Sequence, residues 1–182
     1  MFRYIPQIVI CSACFNIAMA RCFLALGSNL GDRQAYLQAG INEFPSRGIK
    51  LIQCSSVYAT EPVGGNAQPW FLNTVVEVTT KLQPEELLGV CLEIEKTHFR
   101  IRRETNGPRT LDIDIILFGD LVVGNSTITI PHPRYAGRRF VLEPLAEIAA
   151  EVIDPQRGQP ISEIITQLTD SASVERYAPP LY

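Results

Sequence analysis

The stretch from Gly107 to Gly119, Gly-Pro-Arg-Thr-Leu-Asp-Ile-Asp-Ile-Ile-Leu-Phe-Gly, constrains the fold of this chain more than any other. Between Leu111 and Phe118 it is rich in branched and aromatic residues, and it ends on a glycine, which predicts a buried strand. Alternation along a strand places Asp112 and Asp114 side by side, roughly 6 to 7 Å apart, on the same surface as Ile116 and Phe118. Two carboxylates on one half-buried face repel, so something positive must resolve them. A hard cation with phosphate oxygens completing its shell would do so, because Mg²⁺ takes one or two protein carboxylates plus waters and substrate phosphates. The simpler alternative pairs Arg109 with one aspartate and leaves solvent over the other. An Asp-x-Asp tripeptide by itself favours that alternative, and only its context argues for a metal.

A chain of 182 residues with 46% hydrophobic content can bury one substantial core, so a single domain is expected. With 19% charged residues and a net charge of −3, neither a disordered tail nor an indiscriminate nucleic-acid binder is indicated. Cys11, Cys14, Cys22, Cys54 and Cys91 are odd in number, and three of them lie in apolar segments that read as core. That fits a reducing, cytoplasmic setting better than a disulfide framework. Cys11 and Cys14 have C-x-x-C spacing, but no second pair or histidine cluster follows to make a metal site. Residues 1–18 carry Arg3 and an apolar stretch, and Ala18-Met19-Ala20 resembles a cleavage site. Pro6, Gln7 and Asn16 interrupt that stretch, so it is expected to be an extension outside the fold, with residues 19–182 forming the domain. No run reaches the eighteen apolar residues of a membrane span.

Cys22 to Leu26 reads as a strand, and Gly27-Ser28-Asn29 as a tight turn into a helix from about Gly31 to Phe44, with Asn29 or Asp32 as its cap. Gly48 to Tyr58 is expected to form a second strand and Phe71 to Thr80 a third. On that third strand Leu72, Val76 and Val78 share one face, and Phe71, Asn73 and Val75 the other. The linker between them, Ala59 to Trp70, is long for a compact domain, which suggests use. A ring and an amide at its exit, Phe71 and Asn73, suit a flat hydrogen-bonding heterocycle. An ordinary exposed Phe and a turn Asn would look the same.

Pro84 opens a helix to about Thr97, with Glu85 and Glu86 at its positive end, a buried face of Leu88, Cys91 and Leu92, and Glu95 one turn on. Arg100, Arg102 and Arg103 follow, and then Arg109; guanidinium forks bind phosphate in two-point fashion. Placed directly before paired carboxylates, they supply the complementary half of a nucleotide site. Leu121–Val123 and Thr127–Ile130 read as a hairpin turning at Gly124-Asn125. Pro131-His132-Pro133 stops it, and Arg134, Arg138 and Arg139 add positive charge before Phe140. Val141–Ala150 and Ile161–Leu168 read as closing helices, and the polar tail from Thr169 as mobile.

Four pieces, Leu26-Gly27-Ser28-Asn29-Leu30-Gly31, Gln68-Pro69-Trp70-Phe71-Leu72-Asn73, Gly107 through Asp114, and Ile130-Pro131-His132-Pro133, resemble in sequence and order the 6-hydroxymethyl-7,8-dihydropterin pyrophosphokinase family of the folate pathway. The resemblance spans about Ala20 to Asp154. It implies an α+β, ferredoxin-like sandwich, mainly an antiparallel sheet with helices packed on it, and transfer of the β,γ-diphosphate of ATP to the pterin hydroxymethyl group, leaving AMP. It implies two Mg²⁺ ions held by Asp112 and Asp114, and arginines Arg100 and Arg102 closing over the phosphates. Further ATP contacts fall on Arg109, Ile115, His132 and Arg138. For the pterin, the matching positions are Phe71 and Phe140 for stacking, Asn73 and Thr60 for the ring edge, and Val63 through its backbone. Glu95 matches an acidic position at the end of the second helix. The implied partners are small molecules, ATP and a reduced pterin, with no nucleic acid or membrane, and the implied state is a monomer or at most a weak dimer.

Two departures stand out. Many family members have Arg-Trp before the Gly-Pro-Arg-Thr, where this chain has Thr105-Asn106, and the pterin loop often begins Thr-Pro, where Thr60 is followed by Glu61. Phosphoryl-type transfer leaves the protein mainly positioning and charge neutralisation to do, which arginines and carboxylate-held metal supply. The rival readings are a different Asp-x-Asp nucleotide enzyme, such as a sugar-nucleotide transferase, and a non-catalytic ferredoxin-like RNA module. Paired carboxylates and an acidic balance argue against the module.

Overall fold

The computed structural model describes residues 19–62, 68–98 and 107–182. The elements in order are β1 (Ala20–Ser28), α1 (Arg33–Glu43), β2 (Ile49–Cys54), β3 (Val57–Thr60), β4 (Phe71–Thr80), α2 (Pro84–Thr97), β5 (Asp112–Phe118), β6 (Val123–Gly124), β7 (Thr129–Ile130), α3 (Arg139–Ala149), α4 (Ile161–Thr166) and β8 (Val174–Ala178). The sheet runs β5-β1-β4-β3-β8, with β2 also pairing β4, and all these pairings are antiparallel. Beyond it, β6 and β7 form a two-stranded ribbon.

Apolar residues on both faces of β1, β4 and β5 draw helices to both sides. Beneath one face, Leu24, Leu26, Leu72, Val76, Ile113 and Ile115 pack with Leu37 and Ile41 of α1 and Leu87, Cys91 and Ile94 of α2. Against the other, Phe23, Val75, Ile116 and Leu117 pack with Val141, Leu142 and Leu145 of α3 and Ile161 and Ile164 of α4. Asp32 caps α1, its carboxylate accepting from the Ala35 N–H at 3.1 Å. Pro84 takes the first turn of α2, and Glu86 accepts from the Gln83 N–H at 2.7 Å. No helix among the described residues is long and apolar enough to cross a membrane.

Several expectations change. The segment 48–58 is two strands, because the register against β4 shifts between Cys54↔Val76 and Tyr58↔Asn73. Ser55 fills the break: its hydroxyl accepts from the Val75 N–H at 2.9 Å, and its own N–H donates to the Val75 carbonyl at 2.8 Å. On β5 a bulge lets Leu24 face Ile115 and Phe23 face Leu117, leaving Ile116 unopposed. Alternation restarts there, so Ile116 keeps the aspartates' face while Phe118 joins the opposite core. On α2 the buried stripe is Leu87, Cys91, Ile94 and Glu95; Leu92 is 39% exposed. The ribbon turns over 125–128, where the Asn125 side chain accepts from the N–H groups of Thr127 and Ile128. The tail from Thr169 is not free: β8 pairs along β3. The C-x-x-C pair and the extension lie outside the described residues.

Candidate active site

Sheet register assembles the floor of the site. One row across the sheet reads Tyr58, Asn73, Gly27, Asp112, and the next reads Val75, Ala25, Asp114. Partners in an antiparallel pair share a face, so Asn73 and both aspartates project to the same side as Val75, the side that α3 covers. Thr60 pairs with Phe71 at the start of β4, two residues along from the Tyr58–Asn73 pair and on the same face. Strands lie about 4.7–4.9 Å apart, so Asn73 and Asp112, two strands from each other, are separated by about 10 Å.

The polar groups of the β3–β4 corner are already arranged. The Asn73 amide donates to the Thr60 hydroxyl at 2.7 Å, and both residues are buried. That bond uses neither the Thr60 O–H nor the Asn73 carbonyl oxygen. Gly27 makes this possible, because a Cβ there would lie 2.6 Å from Asn73 Oδ1. The Phe71 ring stands at the mouth of the corner with the Arg109 guanidinium 5.6 Å from its centroid. Across the site, Phe140 at the start of α3 carries Arg138 at 5.4 Å in the same manner.

The β5 edge is organised by charge. Arg109 pairs with Asp112, and Asn29 fixes the Arg109 backbone from both directions. Its N–H donates to the Arg109 carbonyl at 3.0 Å, and its Oδ1 accepts from the Arg109 N–H at 2.7 Å. The Asn29 amide nitrogen meanwhile donates to Gln68 at 3.1 Å, so one side chain ties the ring-side loop to the charged one. Glu95, 3% exposed, accepts from the Ile113 N–H at 2.8 Å, holding the strand edge between the two aspartates. His132 donates its N–H to the Ile116 carbonyl at 3.0 Å, which hangs the 132–138 segment on that edge. Burial pushes the His132 imidazole below its usual range; Asp114 pulls it up, while Arg138 and Arg134 push it further down. Burial likewise lowers Arg138, with Arg134 adding to the effect and both aspartates opposing it. The imidazole is therefore neutral near pH 7 and sits among arginines and carboxylates.

Of the residues read from the sequence, Thr60, Phe71, Asn73, Arg109, Asp112, Asp114, His132, Arg138 and Phe140 come together around this floor, and Glu95 supports it from behind. Arg100, Arg102 and Val63 lie outside the described residues, as do Thr105-Asn106. Ile115 turns its side chain into the core on the opposite face, so the structure does not bring that side chain to the floor. Arg139 is spent elsewhere, on Asp170 and Glu143. Sequence reasoning names Gly27 as part of a turn, Asn29 as a cap candidate and Arg134 as an added positive charge, but gives none of them a place in the site; the cap is Asp32, and Asn29 instead holds Arg109. Gly-Ser-Asn reads as a plain turn, and only the register shows that Gly27 and Ser28 are still strand. Among the described residues no group of three or more metal-binding side chains occurs. Paired carboxylates are the kind of protein ligand a hard cation accepts alongside phosphate and water oxygens.

A family model described as 7,8-dihydro-6-hydroxymethylpterin-pyrophosphokinase (HPPK) matches residues 23–150. The 2-amino-4-hydroxy-6-hydroxymethyldihydropteridine pyrophosphokinase of Methylorubrum extorquens is 38% identical over 159 residues, covering 87% of this chain and 99% of that protein. The Bacillus subtilis protein of the same name is 43% identical over 131 residues, 71% of this chain and 78% of that one. Among solved structures, a Plasmodium falciparum HPPK-DHPS triple mutant superposes with a TM-score of 0.67 at 15% identity, covering 82% of this chain. The chain spans 43% of the length of that protein, and the likeness is one of fold.

Proposed function

The chain belongs to the 7,8-dihydro-6-hydroxymethylpterin-pyrophosphokinase family, and from that premise we propose how its side chains divide the work. The protein is an ATP-dependent diphosphokinase that transfers the pyrophosphoryl group of ATP to hydroxymethyldihydropterin in folate biosynthesis. Thr60 and Asn73 read the edge of the pterin ring, Phe71 and Phe140 stack on its faces, and Val63 offers its backbone. Asp112 and Asp114 hold Mg²⁺, with two ions expected. Arg109, His132 and Arg138, together with Arg100 and Arg102, bind and neutralise the ATP phosphates, and Ile115 meets the adenine through its backbone. The observation that carries this assignment is the row Asn73–Gly27–Asp112, which sets the ring readers and the first carboxylate about 10 Å apart on one face. That span fits a fused bicyclic ring whose hydroxymethyl arm reaches toward a phosphoryl group.

The hydroxymethyl oxygen forms a bond to the β-phosphorus, the bridge to the α-phosphorus breaks, AMP leaves, and the hydroxyl proton passes to solvent. Metal held at the two aspartates would neutralise charge on the phosphate oxygens. The protein's own share is alignment of hydroxyl and phosphorus and a fixed positive field from guanidinium groups that stay charged throughout. The buried thiols of Cys22, Cys54 and Cys91 support a reducing, cytoplasmic setting. We take residues 19–182 as one catalytic unit, acting as a monomer, with 1–18 outside it. Calorimetry with a non-hydrolysable ATP analogue and Mg²⁺, with and without the reduced pterin, tests the assignment. Tighter pterin binding in the presence of the analogue is expected; pterin binding indifferent to the analogue, or preference for a uridine or guanosine nucleotide, would contradict it.

A further inference from the structure

The ring-reading corner sits on β3, and β3 is gripped by two carboxylates that the transfer reaction does not use. From α3, Glu147 accepts from the Ser56 N–H at 2.9 Å, the Ser56 hydroxyl at 2.7 Å and the Tyr58 hydroxyl at 2.9 Å. Arg176 of β8 approaches the same carboxylate at 3.6 Å. On the outer side β8 runs antiparallel to β3 with Val174 opposite Thr60, and the pairing continues one residue further. The Glu61 N–H donates to the Ser173 carbonyl at 3.2 Å, and the Ser173 N–H donates to Glu61 Oε2 at 3.0 Å. In a regular hydrogen-bonded pair the second bond would end on the residue 61 carbonyl. Here a side chain takes it, so closure of the ladder depends on which residue stands at 61. Proline could make neither bond, and alanine only the first.

We propose that Glu61 is a positioning residue for the dihydropterin: by locking the C-terminal strand onto the end of β3 it fixes Thr60 and, through Thr60, the Asn73 amide. Thr60 is 1% exposed and accepts from Asn73, so displacement of the strand end disturbs both readers at once. Strand ends that lack a partner fray, and a ligand that needs the ordered form then binds with an affinity reduced by the ordered fraction. The phosphate-binding edge, β5, is separated from β3 by β4 and β1, so ATP binding is insulated from this effect. The role rests on the pyrophosphokinase reading above, with Thr60 and Asn73 as ring readers.

Steady-state kinetics of the full-length chain and of Glu61→Ala, Glu61→Pro, Glu61→Gln and Ser173→Pro variants test it. Ala and Pro at 61 are expected to raise KM for the dihydropterin about three- to tenfold, the worth of one or two ordinary hydrogen bonds, with KM for ATP and kcat within about twofold. Glu61→Gln keeps an N–H and an acceptor oxygen and stays near wild type. Ser173→Pro removes the matching donor and behaves like Glu61→Ala, and combining the two adds nothing further. If Glu61→Pro does not fold, Glu61→Ala and Ser173→Pro decide. Unchanged pterin KM in both, or KM for ATP rising in step, overturns the role of Glu61. A wild-type protein that releases no AMP in response to pterin overturns instead the reading on which it rests.

Discussion

On β5 the polar groups of the site answer one another by charge, Asp112 with Arg109 and Asp114 with His132 and Arg138. Two strands away, Asn73 of β4 is joined to Thr60 of β3 by a neutral hydrogen bond within a buried corner, and Gly27 has no Cβ to crowd the amide. The two halves differ in what binding requires of them. Under the proposed assignment, ligand phosphates and metal would take over guanidinium and carboxylate partners that the protein already supplies to itself, as in the Arg109–Asp112 pair. Under the same assignment the ring half would keep its Asn73–Thr60 bond and select by shape and by donor and acceptor pattern. Arg109 belongs to both, since it pairs with Asp112 while its guanidinium lies over the Phe71 ring.

The sharpest way to break the charged half is Asp114→Ala. It should lower kcat about 10²- to 10³-fold or more, as loss of a principal electrostatic group does, with the circular dichroism spectrum unchanged. Wild-type turnover in that variant would remove the metal assignment. Next in size is Gly27→Ala, which drives a methyl into Asn73 Oδ1 and costs about 1–3 kcal/mol of strain there. Calorimetry should show pterin binding weakened about tenfold to a hundredfold with the ATP analogue little affected. An equal loss of both ligands would mean that the two halves are not separable at this row. Phe71→Ala should weaken pterin binding about tenfold through lost stacking, with a smaller effect on ATP through the Arg109 contact.

The smallest effect is a pH dependence. His132 has its folded pKa pushed below the ordinary value of about 6.5, chiefly by burial and with Arg138 and Arg134 acting the same way against Asp114 and Asp112. The unfolded chain then binds the proton more readily, so the stability due to this group is present above about pH 6.5 and is lost as pH falls through the folded pKa. Thermal unfolding of the ligand-free protein without divalent metal should therefore lose more between pH 7.5 and 5 than that of His132→Asn. Parallel profiles would place His132 outside the charged cluster.

Much of this was legible in the chain because strand alternation is a local rule. The faces of Phe71 to Thr80 follow from counting by twos, and Asp112 and Asp114 share a surface for the same reason. Counting failed where register changed: the bulge at Ile116 carried Phe118 to the other face, and the Ser55-Ser56 break divided one apparent strand into two. Neither has a local signature, since bulges are set by what lies across the sheet. On α2 the apolar positions allow two adjoining stripes, and packing against β1 and β5 chooses the one through Leu87 and Ile94. The tail looked mobile because Val174 to Ala178 is polar and short. It is ordered by an exposed edge of β3 that only the assembled sheet provides. Asn29 reads as a helix-cap candidate, and its bridging role is not visible in the sequence because its partners, Gln68 and Arg109, are 39 and 80 residues away.

The central claim, that Asp112 and Asp114 hold metal to present the ATP phosphates to a pterin bound at Asn73, is tested most directly by AMP release from ATP on addition of the reduced pterin. With Mg²⁺ present, AMP and the pterin diphosphate should form in equal amounts, and neither should form when the metal is chelated or the pterin omitted. AMP formation that persists under chelation, or that proceeds without the pterin, would contradict it.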